Sequence, residues 1–317
     1  MSWKPGASTD AIRARAALLG AIRTFFLQRN ILEVDTPLLG CAGITDPAIE
    51  PLIVEKGVSS TGPRFLQTSP EYAMKRMLAA GSGAIYQICK AFRDGEVGAR
   101  HNPEFSLLEW YRPVYDHHEL MAEVADLVCH CLGPLSWQKI TYRELFLQNL
   151  GIDPFIASAA ELEAAARAHI DLGLSSGDRD LWLDILMSHL LEPKLARLGM
   201  CFVYDYPASQ AALSCIARSG DVEVGQRFEL YVDGMELANG YYELTDAIEL
   251  EQRFIADNRK RRDLGLSEQP LDEQLLAAMN QGLPECSGVA LGVDRLLMLL
   301  TENADIRDVI TFDWCRS

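Results

Sequence analysis

Apolar and polar positions follow two periods along this chain, and the changes of period divide it into elements. From about Ala11 to Arg29 the apolar residues Leu18, Leu19, Ile22, Phe25 and Phe26 recur at helical spacing, with Thr9-Asp10 ahead of them as an N-cap. Asn30 breaks that helix, and Ile31 to Thr36 reads as a short strand stopped by Pro37. Ser69-Pro70-Glu71 puts proline at the first helical position, so a helix to about Ala80 is expected. Ile85 to Phe92 has the length and composition of a buried strand. The charged, glycine-bearing stretch from Arg93 to Asn102 forms a turn, and Phe105 to Tyr111 returns as a second strand.

From His117 to about Ser219 the pattern turns mostly helical, with an alanine-rich stretch at Ser158–His169 and an amphipathic one at Leu181–Leu198. It reads as a helical insertion between two sheet-forming halves. Strands resume at Arg227–Val232 and Met235–Tyr241, joined by Asp233-Gly234 as a two-residue hairpin turn. A long helix from Asp246 to about Asp263 follows. The strand Ser287–Leu291 then runs directly into a helix from about Gly292 to Leu300. Strands and helices in blocks, without regular alternation, predict an α+β fold. With no repeat or linker, one compact domain over 1–317 is expected.

Composition adds exclusions. Apolar residues make up 49% and charged residues 23%, the balance of a soluble globular chain. Basic residues number 29 against 45 acidic, a net charge of −16, which counts against sequence-blind wrapping of nucleic acid. Of eight cysteines only Cys129 and Cys131 lie close together, and no CxxC occurs, so the thiols read as small apolar side chains. No apolar run approaches the ~20 residues of a membrane span. The N-terminus also lacks a signal-peptide core, and a cytoplasmic location is expected. The basic run Arg259-Lys260-Arg261-Arg262 is either a solvated helix face or a docking patch for an acidic partner.

Three stretches carry chemistry. FRDGEVGARHNPEFSLLEWY, residues 92–111, sets Arg93 and Arg100 in a loop between two strands, which suits an anionic ligand because guanidinium binds phosphate through paired, directional bonds. A solvated hairpin loop is the plainer alternative. In FELYVDGMELANGYYE, residues 228–243, Glu229 shares a face with Tyr231, and Glu236 with Ala238 and Gly240. Across the hairpin Glu229 and Glu236 can converge, as two carboxylates that hold Mg²⁺ on substrate phosphates do. In SGVALGVDRLLMLL, residues 287–300, Arg295 follows a glycine-bearing strand end and can reach a phosphate or stack on a base. Residues 28–37 carry no chemistry and suit either a dimer interface or packing within one chain.

Taken in this order, the segments resemble the three signature motifs of class II aminoacyl-tRNA synthetases, the lysine-type enzymes above all. Motif 1 corresponds to about 22–37, motif 2 to about 92–111 and motif 3 to about 287–300. TSPEYAMKRML, HNPEFSLLEWYRP, ELANGYYELTD and the DNRKRR helix resemble truncated lysine-type paralogues without an anticodon-binding domain, which attach (R)-β-lysine to a lysine of elongation factor P. The resemblance implies an antiparallel sheet flanked by helices, a homodimer formed through motif 1, and ATP with Mg²⁺ as the reactants' partners. It implies that tRNA is not the acceptor and that no membrane is involved. An α-lysine-activating paralogue and a non-catalytic regulatory paralogue remain the alternatives.

By position, the resemblance assigns the catalytic charges to Arg93 and Arg295. The nucleotide site would comprise Arg93, Asp94, Gly95, Asn102, Phe105, Glu236, Leu237, Gly292 and Arg295, with Phe105 under the adenine. Glu229 and Glu236 would hold magnesium. The amino-acid site would comprise Ser69, Pro70, Glu71, Glu109, Tyr111, Asn239, Tyr241 and Glu243, whose acids suit a substrate with two ammonium groups. Two departures stand out. Gly95 occupies the place of the family's motif 2 glutamate, with Glu96 one residue later, and Ala290 stands where lysyl-tRNA synthetases have glycine.

Overall fold

A computed structural model describes residues 3–55, 62–171, 173 and 176–317. In chain order the elements begin α1 (Thr9–Gln28), β1 (Leu32–Glu33), β2 (Leu39–Gly40), β3 (Ile53–Val54), β4 (Arg64–Leu66), α2 (Glu71–Ala79), β5 (Ile85–Phe92), β6 (Glu104–Pro113) and α3 (His117–Leu132). There follow β7 (Trp137–Thr141), α4 (Tyr142–Leu150), α5 (Ala159–Arg167), α6 (Arg179–Leu186), α7 (Glu192–Leu195), β8 (Met200–Pro207), β9 (Ile216–Ser219), β10 (Val222–Val232) and β11 (Met235–Tyr242). The chain closes with α8 (Ala247–Asp263), α9 (Glu273–Gln281), β12 (Cys286–Gly292) and α10 (Val293–Leu300).

Nine strands form the main sheet in the order β1-β5-β6-β12-β11-β10-β8-β7, with β9 beside the outer end of β10. The six strands from β5 to β8 are antiparallel, as the α+β reading requires, but both edge pairs, β1–β5 and β7–β8, are parallel. A small sheet, β2-β4-β3, lies apart. On one face of the main sheet Phe26, Leu120, Val124 and Leu297 of α1, α3 and α10 close over Leu108, Trp110, Phe202, Phe228 and Leu230. The opposite face is covered in two parts. Trp182, Leu162 and Phe146 pack on Val203, Tyr206 and Tyr231, while Met74, Phe254 and Leu275 pack near Ile85, Tyr111 and Cys286. Between these two packs runs the strip of sheet that carries the polar residues.

Most boundaries agree with the periodicity, because the helices are amphipathic and their caps are explicit. Ser8, one residue before the expected Thr9-Asp10 cap, accepts the amide hydrogen of Ala11, and Asp246 caps α8. Asp233 and Gly234 both have positive φ, the conformation of the two-residue hairpin. The stretch 117–219 departs from expectation, since it contains β7, β8 and β9 as well as helices. The sequence of β8, MCFVYDYP, is buried on both faces, and a short continuous apolar run has no period that separates strand from buried helix. The strand expected from Ile31 to Thr36 shrinks to Leu32–Glu33. Within the basic run, Arg261 is fully buried and bonded to Glu50 and the Ser267 carbonyl, so it is a packing residue.

Candidate active site

Strand register places the side chains. The β6–β12, β12–β11 and β11–β10 pairings align Leu107, Glu109 and Tyr111 with Gly292, Ala290 and Gly288, then the last two with Asn239 and Tyr241, and finally with Glu229 and Arg227, while Phe105 lies two residues before Leu107 on the same face of β6. Residues paired directly across an antiparallel ladder face the same side, so all of these share the open strip.

Along β10 and β11 one irregularity decides the site. Leu230 pairs with Ala238 and Tyr231 with Glu236, leaving Leu237 without a partner. This bulge breaks the alternation that groups Glu236 with Ala238 and Gly240. Ala238 and Leu237 both enter the core, and Glu236 turns to the side of Glu229 and Tyr231. Leu237, assigned to the nucleotide site by resemblance, thus points its side chain away from it.

Glu229 is heavily held. Its Oε2 accepts from the hydroxyls of Tyr206 at 2.6 Å and Tyr231 at 2.5 Å, and its Oε1 pairs with Arg227. Glu236 is held protonated more readily than an ordinary glutamate, first by burial and then by the Glu229 charge, with Arg295 opposing. A buried carboxyl raised by a neighbouring carboxylate's charge is the arrangement that a divalent cation relieves. Among the described residues no group of three acidic, histidine or cysteine side chains could hold a metal. The pair therefore fits a metal that brings phosphate oxygens and water with it. A cavity of about 270 Å³ extends from Glu229 and Glu236 beneath the helical layer to Tyr142, Asp184 and Glu192.

The loop after β5 brings in the arginines. Arg93 stacks over Phe105 with 5.2 Å between guanidinium and ring centre, and its Nε is buried without a partner. Gly95, at φ +75°, turns the chain so that Glu96, not Asp94, faces Arg93 at 3.6 Å. Asp94 instead accepts from the Gly95 amide. Asn102 is committed at both ends, donating to the Glu104 carbonyl at 2.6 Å and accepting from the Trp314 amide at 2.9 Å. At the start of α10, Asp294 accepts from the Ser106 amide at 2.6 Å and pairs with Arg15, which fixes the helix against β6 and α1. Arg295 donates from the other side to the Glu236 carbonyl at 2.8 Å and to His101 Nε2 at 2.8 Å.

The third part is acidic. Pro70 opens α2, Ser69 Oγ accepts from the Glu71 amide, and Glu71 points toward Glu109 and Glu243. Glu109 and Glu243 are 3% and 1% exposed. The Tyr111 hydroxyl donates to Glu109 at 2.8 Å. Asn239 bridges Arg227 to the Tyr241 hydroxyl. Burial, with neighbouring carboxylates behind it, holds the Glu109 carboxyl well above the usual range and lifts that of Glu243 to about 7.

Residues 2–314 match the sequence model of the tRNA synthetases class II (D, K and N). The chain belongs to the class II tRNA synthetase family. It is similar to the elongation factor P–(R)-β-lysine ligases of Pectobacterium atrosepticum, 49% identical over 98% of this chain and 97% of that protein, and of Sodalis glossinidius, 49% identical over the same shares. The ligase of that name from Pseudoalteromonas translucida is 46% identical over 99% of this chain and 98% of its own. No helix among the described residues is long and apolar enough to cross a membrane.

On this class II synthetase sheet, Arg93, Phe105, Glu109, Tyr111, Glu229, Glu236, Asn239, Tyr241, Glu243, Gly292 and Arg295 fall on or around one strip. Glu71 joins them from α2. Sequence reasoning missed Lys75, Arg227 and Tyr206. Lys75 carries a signal, since it lies one helical turn after Glu71. So does Arg227, two residues before Glu229 on one strand face. Tyr206 carries none, because its strand lay in the stretch read as helical.

Proposed function

We propose that this chain activates (R)-β-lysine with ATP to an aminoacyl-adenylate and transfers the β-lysyl group to a lysine side chain of elongation factor P. The observation that carries the reading is one sheet strip with buried carboxylates at one end and Arg93 and Arg295 at the other. A substrate with two ammonium groups and one carboxylate fits that polarity, and the names of the relatives give the isomer and the acceptor.

In this reading Glu71, Glu109 and Glu243 hold the two ammonium groups, and Tyr111, Asn239 and Tyr241 orient the stem. Charged hydrogen bonds in a water-poor pocket discriminate strongly, since an analogue lacking an ammonium leaves a carboxylate unpaired. Arg93, whose Nε has no protein partner, takes the substrate carboxylate and the α-phosphate. Its guanidinium stabilises the charge that builds at phosphorus as the carboxylate attacks in line. Phe105 stacks under adenine with Arg295 on the other side. A Cβ at Gly292 would meet the Arg295 side chain at an ordinary 3.6 Å, so the nearest protein atoms leave room for a side chain there, and in this reading the nucleotide takes that room. Magnesium on Glu229 and Glu236 would neutralise the phosphates and assist departure of pyrophosphate.

Transfer follows when a neutral lysine amine of the acceptor attacks the acyl carbon and AMP leaves. The −16 charge favours a protein acceptor over tRNA. A cytoplasmic homodimer built on α1 and β1, each chain one catalytic domain, completes the proposal. The test is incubation with ATP, (R)-β-lysine and elongation factor P, followed by peptide mass mapping. One lysine of the acceptor gains a single lysyl unit; an acceptor left unmodified while adenylate accumulates contradicts the transfer step.

A further inference from the structure

The amino-acid pocket contains a charged group that no motif assigned. Lys75 is 1% exposed, with Nζ 2.6 Å from Glu71 Oε1 and 2.6 Å from Glu243 Oε2. Burial alone would strip its proton, but the carboxylates of Glu243 and Glu71 outweigh burial and hold it charged. Glu243 is pinned in turn, because a Cβ on Gly288 would stand 2.4 Å from its Oε1, so the strand backbone lies directly against the carboxylate. The other titratable groups facing these acids are Tyr72, Tyr111, Tyr241, Cys89, Cys215 and Cys286. Burial raises the pKa of every one of them, so each stays neutral. The charge of the pocket is therefore set by three carboxylates and one ammonium.

We propose that Lys75 fixes the charge deficit of the amino-acid pocket at two, making it a specificity-determining residue for substrates that carry two ammonium groups. The proposal rests on the reading of this pocket as the amino-acid site. Lys75 satisfies one carboxylate permanently and holds Glu71 and Glu243 at a fixed separation. Two carboxylate charges remain for the ligand. A ligand with a single ammonium leaves one of them buried and unpaired. Without Lys75 a dication leaves the third acid unpaired, and that acid has to keep its proton in the complex.

The test uses simple amines, so that it does not depend on β-lysine. The ammonium groups of (R)-β-lysine stand on C3 and C6, the spacing of 1,4-diaminobutane. Binding of 1,4-diaminobutane and 1-aminobutane to the full chain is measured by calorimetry in buffers of different ionisation enthalpy, for the wild type, Lys75→Met and Lys75→Arg. The wild type prefers the diamine by on the order of 100-fold and releases protons on binding. Lys75→Met weakens the diamine by at least about tenfold at pH 7 and releases fewer protons per diamine bound, because one acid keeps its proton in the complex, while Lys75→Arg keeps the affinity and the proton release of the wild type. ATP binding, unchanged in both variants, certifies the fold.

A folded Lys75→Met that keeps the wild-type diamine affinity and releases as many protons as the wild type overturns the proposal, leaving Lys75 an ordinary buried ion pair. So does a wild type without diamine preference that nonetheless exchanges pyrophosphate with β-lysine. Diamine preference without any β-lysine-dependent exchange removes the functional reading and leaves the role of Lys75 standing.

Discussion

Tyr231 and Glu236 stand opposite each other across the β10–β11 hairpin because the two-residue turn Asp233-Gly234 pairs Val232 with Met235 and so Tyr231 with Glu236. That turn puts Glu236 on the face of Glu229, and the unpaired Leu237 beyond it brings Asn239 and Tyr241 to the same face. If the two carboxylates share a cation with the nucleotide phosphates, Glu236→Gln removes half of the protein's contribution. Exchange of pyrophosphate into ATP then falls by about 100-fold at fixed magnesium, and the magnesium needed for half-maximal rate rises. An unchanged magnesium dependence contradicts the assignment.

Tyr206 and Tyr231 both donate to the same oxygen of Glu229 and so hold it in place. Tyr231→Phe removes one charged hydrogen bond, worth about 1.5–3 kcal/mol. The expected result is weaker magnesium use with an unaltered KM for the amino acid. A change confined to amino-acid KM excludes this positioning role.

Much of this arrangement is legible in the sequence. Arg93, Glu229, Arg295 and the hairpin at Asp233-Gly234 stand in local patterns that need no tertiary information. Glu236 is legible too, since a two-residue turn sets it opposite Tyr231 on the face of Glu229, whereas the bulge at Leu237 that brings Asn239 and Tyr241 to that face shows only in the pairing register. Tyr206 was hidden for another reason: β8 is buried on both faces and carries no period. Lys75 was visible as a helical neighbour of Glu71, yet its burial between two acids depends on Glu243, 168 residues away in the chain.

The acidic pocket sets a pH dependence. Burial favours the protonated form of Glu109, and Glu243 holds a proton up to about pH 7, whereas a doubly charged substrate requires both ionised. Substrate and protons therefore compete. KM for the amino acid falls as pH rises from about 6 to about 8, by up to about tenfold for each proton displaced per pH unit. Initial-rate kinetics across that range check it, and a KM independent of pH contradicts it.

Ala290 lies between Glu109 and Asn239 in the ladder, with its methyl on the floor of the pocket. Removing that methyl in Ala290→Gly deepens the floor beside the substrate carbons. Selectivity is expected to move toward L-α-lysine, by about 10-fold in the ratio of kcat/KM values, a shift of ~1.4 kcal/mol. Competition between the two isomers measures the ratio directly; a ratio unchanged or moved toward β-lysine shows that Ala290 does not shape the choice.

The central claim is that Glu71, Glu109 and Glu243 at one end of the strip and Arg93 at the other bind and activate one dicationic amino acid. Amino-acid-dependent exchange of labelled pyrophosphate into ATP tests it most directly, with (R)-β-lysine and L-α-lysine compared in wild type and Arg93→Ala. Faster exchange with β-lysine, lost by about 10²–10³ in Arg93→Ala, is the predicted result. Exchange with neither isomer, despite binding of ATP, contradicts the account.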